Sequence, residues 1–181
     1  MPRSQLTPFE HVLLGMIFGQ PASGYDLKRQ FATTPMGVYQ PSSGALYPAL
    51  ERLERRGLLS SESFRPAAGG RPRRVYQLTP DGRQAHLGWV RAPVRPETVA
   101  QDLGMHLLRF VMMAEVLPPD EVLGFLASLR SALAGFVATL EQASTGADVS
   151  ANTAARLAVE HGLAVYRASL AWTEQAISTL G

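Results

Sequence analysis

The chain has 181 residues, 46% of them hydrophobic, with no cysteine and a formal net charge of +2. This length and composition suit a chain that buries a core, and they exclude a disordered chain, a disulfide scaffold and a thiolate metal site. Residues 1–5 contain no apolar part of a signal peptide, and no run of about 18 apolar residues follows, so we expect a cytoplasmic protein.

The charge is distributed unevenly. Residues 1–92 carry twelve Lys and Arg against six Asp and Glu, whereas residues 93–181 carry five against nine. A basic half joined to an acidic half indicates that only the first half meets a polyanion. The four histidines have no metal-ligand spacing, so no metal or other cofactor is expected.

Three helices are predicted first. Thr7, Pro8 and Glu10 form a helix start with a capping box, and an apolar face follows. Gly24 ends a break before a short second helix at residues 25–31. The third helix begins near Ser42 and ends before Gly57 as its C′ residue, with an inward stripe of Leu46, Ala49, Leu50 and Leu53.

A β-hairpin and a fourth helix come next. Residues 58–64 and 73–78 have extended patterns and are separated by a Gly- and Pro-rich tip. Thr79 and Pro80 repeat the helix start found at Thr7. Pro93 and Pro96 then interrupt the chain, which predicts two domains, residues 1–92 and 93–181.

The second domain is predicted to be all helical. One helix has a stripe of Leu103, Leu107, Phe110 and Ala114, and the next has a heptad seam from Val122 to Leu140. The last has a stripe of small residues, Leu157, His161, Ala164, Ala168 and Ala171. These faces are too apolar for so small a unit, which predicts a homodimer.

Three helices followed by a hairpin predict a fold that is mainly α with a small β-hairpin, an N-terminal winged helix-turn-helix domain and a C-terminal helical dimerisation domain. In that fold the third helix enters the major groove of double-stranded DNA and the wing meets the backbone. The expected DNA-binding residues are Ser42, Ser43, Ala45 and Tyr47 on the helix and Arg71, Arg73 and Arg74 on the wing. Tyr47 packing on the domain surface and arginines merely solvated at a loop tip are the alternatives. Arg52, Arg55 and Arg56 alternate with glutamates and are expected to form surface ion pairs.

Several segments resemble the PadR family of transcriptional regulators. They are residues 21–27, residues 43–54 with the Arg-Arg-Gly-Leu that follows, and residues 76–82. Residues 95–99 and 172–174 are similar to the longer subfamily, which has an extended helical C-terminal domain.

The resemblance implies a dimeric repressor of a palindromic operator that a small aromatic effector, often a phenolic acid, releases. By position, Tyr47 matches the recognition-helix tyrosine, and Arg71, Arg73 and Arg74 match the basic wing. The candidate effector-binding residues are Met16, Phe110, Met113, His161 and Trp172, for which ordinary core or interface packing is the alternative.

Two other functions are alternatives to DNA binding. An enzyme is not expected, because the chain has no Gly-rich phosphate loop, nucleophile motif or metal set, and we assign no catalytic residue. A winged helix can also serve as a protein-interaction module without operator binding. Binding to the DNA upstream of the chain's own gene separates this alternative from a transcriptional regulator.

Overall fold

The computed structural model describes residues 5–33, 42–65, 72–145 and 152–181, in two compact units, Met1–Val90 and Arg91–Gly181. The first unit contains α1 (Pro8–Phe18), β1 (Ala22–Ser23), α2 (Gly24–Thr33), α3 (Ser43–Arg55), β2 (Leu59–Phe64), β3 (Arg73–Leu78) and α4 (Pro80–Val90). The second contains α5 (Pro96–Gln101), α6 (Leu103–Ala114), α7 (Pro119–Ser144) and α8 (Thr153–Leu180). The predicted fold class is confirmed; the domain limits stay a prediction.

The start of α1 is a complete capping box. The Glu10 backbone N–H donates to Thr7 Oγ1 at 3.2 Å, and the Thr7 backbone N–H donates to Glu10 Oε2 at 2.9 Å. These two bonds satisfy donors that a helix start otherwise leaves open. The sequence signature therefore predicted both the position and the chemistry of this helix start.

The core of the first unit is built on α3. Its predicted stripe, Leu46, Ala49, Leu50 and Leu53, is fully buried. Helix α3 ends at Arg55, and Gly57, whose φ is +71°, lies two residues beyond it. The Gly57 N–H donates to Glu54 O and the Leu58 N–H donates to Leu53 O. These bonds form a Schellman motif, and they turn the chain directly into β2.

The sheet has one strand more than the predicted hairpin. Strand β3 lies between β2 and β1, and both neighbours are antiparallel to it. The extra strand, β1, pairs Ala22 with Tyr76 and Ser23 with Val75. A two-residue strand has no periodicity that a sequence could reveal. Its effect is to attach the start of α2 to the base of the wing.

In the second unit, α7 packs against α8, α5 and α6. Four seam residues, Val122, Leu126, Leu129 and Leu133, are buried by these helices of the same chain. The expectation that the whole seam needs a second copy was therefore wrong. By contrast, the predicted stripe of α8 from Leu157 to Ala171 is exposed along its length.

The prediction of which face of α6 is buried was also wrong. Leu107 and Ala114 are exposed, and the buried face contains Leu108, Met112 and Met113 with two polar residues, His106 and Arg109. The Arg109 guanidinium donates to the Ala92 carbonyl and lies 5.0 Å from the Phe125 ring centre. His106 bonds to Thr98 Oγ1 at 2.9 Å. Hydrophobic patterning assigns such residues to the surface, so it selected the wrong face.

Helix α7 is long and apolar enough to span a membrane by length and composition alone. Over its most apolar 18 residues, within the described part of the chain, the mean hydropathy is 1.6. The buried share of that window is 39%, and a core helix passes the same test. Because α7 packs against three helices of its unit, we interpret it as a core helix.

Candidate nucleic-acid interface

The start of α2 contacts α3 through Gly24 and is joined to strand β3 of the hairpin through β1. Ser23 caps α2, since its Oγ accepts the Asp26 backbone N–H at 3.3 Å. In return, its Oγ–H and backbone N–H both donate to Asp26 Oδ2, at 2.5 and 3.1 Å. The Ser23 hydroxyl, together with its backbone N–H, lowers the pKa of Asp26 and outweighs burial. Asp26 is therefore a carboxylate at neutral pH, and it fixes the first turn of α2.

Tyr47 of α3 packs directly on this first turn. A Cβ placed on Gly24 would lie 2.5 Å from Tyr47 Cε1, so only glycine leaves room for the ring. Tyr47 is nevertheless 43% exposed. Its ring is thus held on one side by Gly24 and is available to solvent on the other, which combines both interpretations that the sequence left open.

The wing reaches the same place through Arg73. Its guanidinium lies 5.1 Å from the centre of the Tyr25 ring, a cation–π contact, and both residues are exposed. The pairing of Ser23 with Val75 fixes this approach, because it joins β1 to β3 next to both residues. Tyr47, Tyr25 and Arg73 therefore surround the start of α2, and we name them the tyrosine–arginine cluster.

Arg74 is bound differently. Its Nη2 bonds to Glu54 Oε2 at 2.6 Å, and its Nε bonds to Ser61 Oγ at 2.7 Å. Ser61 Oγ donates in turn to Glu54 Oε1 at 2.6 Å. This network connects β3, β2 and α3, so within the unit Arg74 already holds the hairpin on the recognition helix.

The other predicted DNA-binding residues divide into described and undescribed positions. Ser42 and Ala45 are exposed at the start of α3. Ser43 is the first residue of α3, but its side chain lies outside the described part of the structure, as does all of Arg71. The structure therefore brings Arg73 and Tyr47 to the start of α2 and gives no position for Arg71.

Sequence reasoning missed Tyr25 and Gly24 as part of this surface. Both lie in the segment of residues 21–27 that resembles the PadR family, so a signal was present. Their contacts with Tyr47 and Arg73 depend on β1, which no local pattern predicts. Tyr25 and Arg73 are far apart in the sequence, and the pairing of β1 with β3 brings them together.

Arg52 forms an ion pair, but its partner is not one of the glutamates with which it alternates. Arg52 Nε bonds to Glu10 Oε1 at 3.0 Å, and Glu10 is only 3% exposed. Burial raises the pKa of Glu10, but the Thr7 backbone N–H and Arg52 together hold it below the ordinary value. The carboxylate thus stays charged and holds Arg52 at the end of α3.

The candidate effector residues are spread over both units. Met16 is half-buried in the first unit, and the other four lie in the second. The Phe110 and Trp172 rings meet edge to face, with centres 5.4 Å apart. Met113 is buried in the core of α6, whereas His161 is exposed on α8. Among the four candidates of the second unit, the ring contact that the structure describes is the one between Phe110 and Trp172.

A cavity of about 530 Å³ lies between α5 and α7 of the second unit. Buried or half-buried Val94, Ala132 and Phe136 form its apolar wall, and Glu97 and the hydroxyls of Ser128, Ser131 and Thr139 lie around it. Its volume is in the range of small-molecule sites. None of the residues predicted to bind an effector lines this cavity.

Residues 13–86 match the model of the transcriptional regulator PadR-like family. The transcriptional regulator Rv3488 of Mycobacterium tuberculosis is 55% identical over 47 residues, which are 26% of this chain and 42% of that protein. The match thus spans less than half of its length. Family and relative are transcriptional regulators, which agrees with the prediction that the chain is no enzyme.

Three solved structures are similar over nearly their full length. Bacillus subtilis PadR in complex with operator DNA is 17% identical, with a TM-score of 0.46, 97% of this chain and 100% of that chain covered. The PadR-like regulator BC1756 from Bacillus cereus is 17% identical, with a TM-score of 0.43 and full coverage of both chains. Bacillus subtilis PadR in complex with p-coumaric acid is 18% identical, with a TM-score of 0.42, covering 96% and 99%.

The family match begins in α1 and ends in α4, so it contains α3, the hairpin and the tyrosine–arginine cluster. The motifs that carried the resemblance in the sequence lie largely within the same range. Through residues 13–86, the chain is similar to the PadR-like family of transcriptional regulators.

Proposed function

We propose that the chain binds operator DNA through α3 and the wing and regulates transcription as a repressor. The observation that carries the proposal is the tyrosine–arginine cluster. It places the exposed Tyr47 of α3 and the exposed Arg73 of the wing against the same first turn of α2, at Gly24 and Tyr25. Tyrosine hydroxyls and arginine guanidiniums are common donors to DNA phosphates and base edges.

The electrostatics support the same surface. The twelve Lys and Arg of residues 1–92 give this half the positive charge that DNA binding requires, and the acidic second half is unsuited to the task. Ser42 and Ala45 are small and exposed at the start of α3, so they do not obstruct close approach to base edges.

The proposed regulator is a homodimer. The exposed stripe of α8 supports this proposal, because Leu157, Ala164 and Ala168 form an apolar face that the described residues leave exposed. Two copies joined in this way present two recognition helices to a palindromic operator, whose half-sites lie about 34 Å apart.

A small aromatic molecule, of the phenolic acid class, is the proposed effector. The contact between Phe110 and Trp172 supports a binding place in the second unit, since an aromatic ligand stacks on such rings. By this proposal the dimer has two states, one that binds DNA and one that does not. The ligand has the higher affinity for the state that does not bind DNA.

Gel shift with the DNA upstream of the chain's own gene tests the proposal. We expect a shift that specific competitor DNA removes and that mixed-sequence DNA of equal length does not. Tyr47→Ala is expected to weaken the specific shift by about tenfold or more, since one base contact contributes about 1–3 kcal/mol. A protein that binds no DNA under these conditions is instead an interaction module.

A further inference from the structure

A second basic feature lies between the start of α1 and the end of α3. It is a cavity of about 320 Å³, which we name the basic corner, lined by Gln5, Thr7, Glu10, Arg52, Arg55 and Arg56. Three arginines and one glutamate give it two net positive charges. Its volume is at the lower end of small-molecule sites, so it suits a small anionic group.

The one carboxylate of the basic corner is fully used. One oxygen of Glu10 accepts the Thr7 backbone N–H, and the other accepts Arg52 Nε. Glu10 therefore acts as a support that fixes the Arg52 guanidinium through its inner nitrogen. The two outer nitrogens of Arg52 remain as donors on the 45% of this side chain that is exposed.

Arg55 adds a second guanidinium that no acid neutralises. It is exposed, and the described part of the chain gives it no hydrogen bond or ion pair. Glu54, its neighbour in sequence, is bound to Arg74 and Ser61. Glu51 does not line the cavity. Among the described residues, the positive charge of Arg55 is therefore the one in the basic corner that has no acidic partner.

These donors match the chemistry of a phosphate. Guanidinium groups offer paired N–H donors that fit two phosphate oxygens. The Thr7 hydroxyl accepts the Glu10 backbone N–H, so its own proton is available to a further acceptor. We propose that the basic corner binds a phosphate group, supplied by the DNA backbone or by a free phosphate compound.

The basic corner is separate from the tyrosine–arginine cluster. Tyr47 and Arg55 are eight positions apart on α3, which is about 12 Å along the helix axis. A phosphate held there is therefore an additional contact. The DNA source rests on the proposed function, whereas a free phosphate compound does not.

The first experiment follows backbone amide NMR signals of the full chain while inorganic phosphate replaces chloride at constant ionic strength. We expect saturable shifts at residues 5–10 and 52–56. Arg55→Ala is expected to weaken phosphate binding about tenfold or more. Arg156→Ala, which removes a surface arginine of the second unit, is the matched control and leaves the titration unchanged.

The second experiment measures the salt dependence of binding to duplex DNA. If the DNA backbone supplies the phosphate, Arg55→Ala lowers the slope of log affinity against log salt by about 0.9, and Arg156→Ala does not. Saturable phosphate shifts with an unchanged slope identify a free phosphate compound as the ligand.

The two experiments separate the two proposals. If the wild-type chain binds no DNA but still shows saturable phosphate shifts at the basic corner, the proposed function fails and the phosphate site remains. If phosphate causes no saturable shift and Arg55→Ala does not change the salt slope, the proposed site is wrong.

Discussion

Gly82 of α4 lies close to the backbone of Leu58, the residue before β2. A Cβ on Gly82 would lie 1.9 Å from the Leu58 carbonyl oxygen, which belongs to the backbone and cannot rotate away. We expect Gly82→Ala to lower the free energy of unfolding by about 3 kcal/mol, the upper range for overpacking. Urea denaturation measures the change.

Gly88 of the same helix provides the matched control. A Cβ there meets no atom within 4 Å, so Gly88→Ala is expected to be neutral or stabilising by up to about 1 kcal/mol. Equal effects of the two substitutions would contradict the close approach at Gly82.

His86 makes stability depend on pH. It is completely buried beside the rings of Phe18 and Trp89, and burial lowers its pKa to about 4, an effect that the His11 backbone only partly offsets. In the unfolded chain, His86 is protonated below about pH 6.5, whereas in the folded chain it is protonated only below about pH 4. Stability from this residue is therefore present above pH 6.5 and is lost as pH falls towards 4.

Comparison with His86→Leu isolates this effect from the titration of carboxylates. Between pH 7 and pH 5, the wild type is expected to lose about 2 kcal/mol more unfolding free energy than the variant. His161→Gln, at an exposed position, is the control and follows the wild type. Parallel losses in wild type and His86→Leu would show that His86 does not stay neutral in the fold.

At the scale of the elements, the two arginines of β3 differ in what they contact. Arg73 lies over Tyr25 on the exposed surface, whereas Arg74 is bound to Glu54 and Ser61. We expect Arg73→Ala to lower the salt slope of DNA binding by about 0.9. Arg74→Ala is expected to keep the slope and to lower stability by up to about 1 kcal/mol, as for a half-exposed pair.

Glu54→Gln is the matched test for Arg74, because it removes the partner and keeps the arginine. If Arg74 is a structural residue, Glu54→Gln reproduces the stability loss of Arg74→Ala. If Arg74 meets phosphate, as the sequence predicted, Arg74→Ala lowers the slope as much as Arg73→Ala does.

The helices of the first unit and the hairpin could be predicted from local sequence signals. The capping box at Thr7, the stripe on α3 and Gly57 each act within a few residues, so the sequence reveals them. The strand β1 and the contacts of Tyr25 did not follow, because they depend on pairing between Ser23 and Val75, far apart in the chain. Long-range pairing leaves no period in a single sequence.

The second unit was less predictable for a different reason. Buried His106 and Arg109 replaced apolar residues on the inner face of α6, and their burial depends on partners such as Thr98 and the Ala92 carbonyl. A heptad seam, likewise, indicates that a helix is covered without indicating by what. The buried seam residues of α7 pack against other helices of the same chain.

For the whole molecule, the exposed stripe of α8 predicts how two copies associate. Ala168 lies near its middle, so Ala168→Glu places charges inside the proposed interface and is expected to produce monomers at micromolar concentration. Ala138→Glu makes the same change on the exposed side of α7, and it is expected to leave the dimer intact. Sedimentation measures both, and a wild-type monomer would contradict the proposed dimer.

An effector is expected to release DNA by changing the distance between the two recognition helices. Affinity for a palindrome depends on the distance between the two recognition helices, so a ligand that favours another distance weakens DNA binding. A hundredfold loss of operator affinity requires about 2.7 kcal/mol of coupling, and operator DNA must weaken ligand binding by the same factor.

Trp89→Phe leaves Trp172 as the only tryptophan, whose fluorescence then reports phenolic acids in the second unit. Trp172→Phe is expected to lower effector affinity and keep operator affinity, because it changes the ring beside Phe110 and not the DNA surface. A ligand that saturates the protein while operator affinity stays constant would show that binding and release are not coupled.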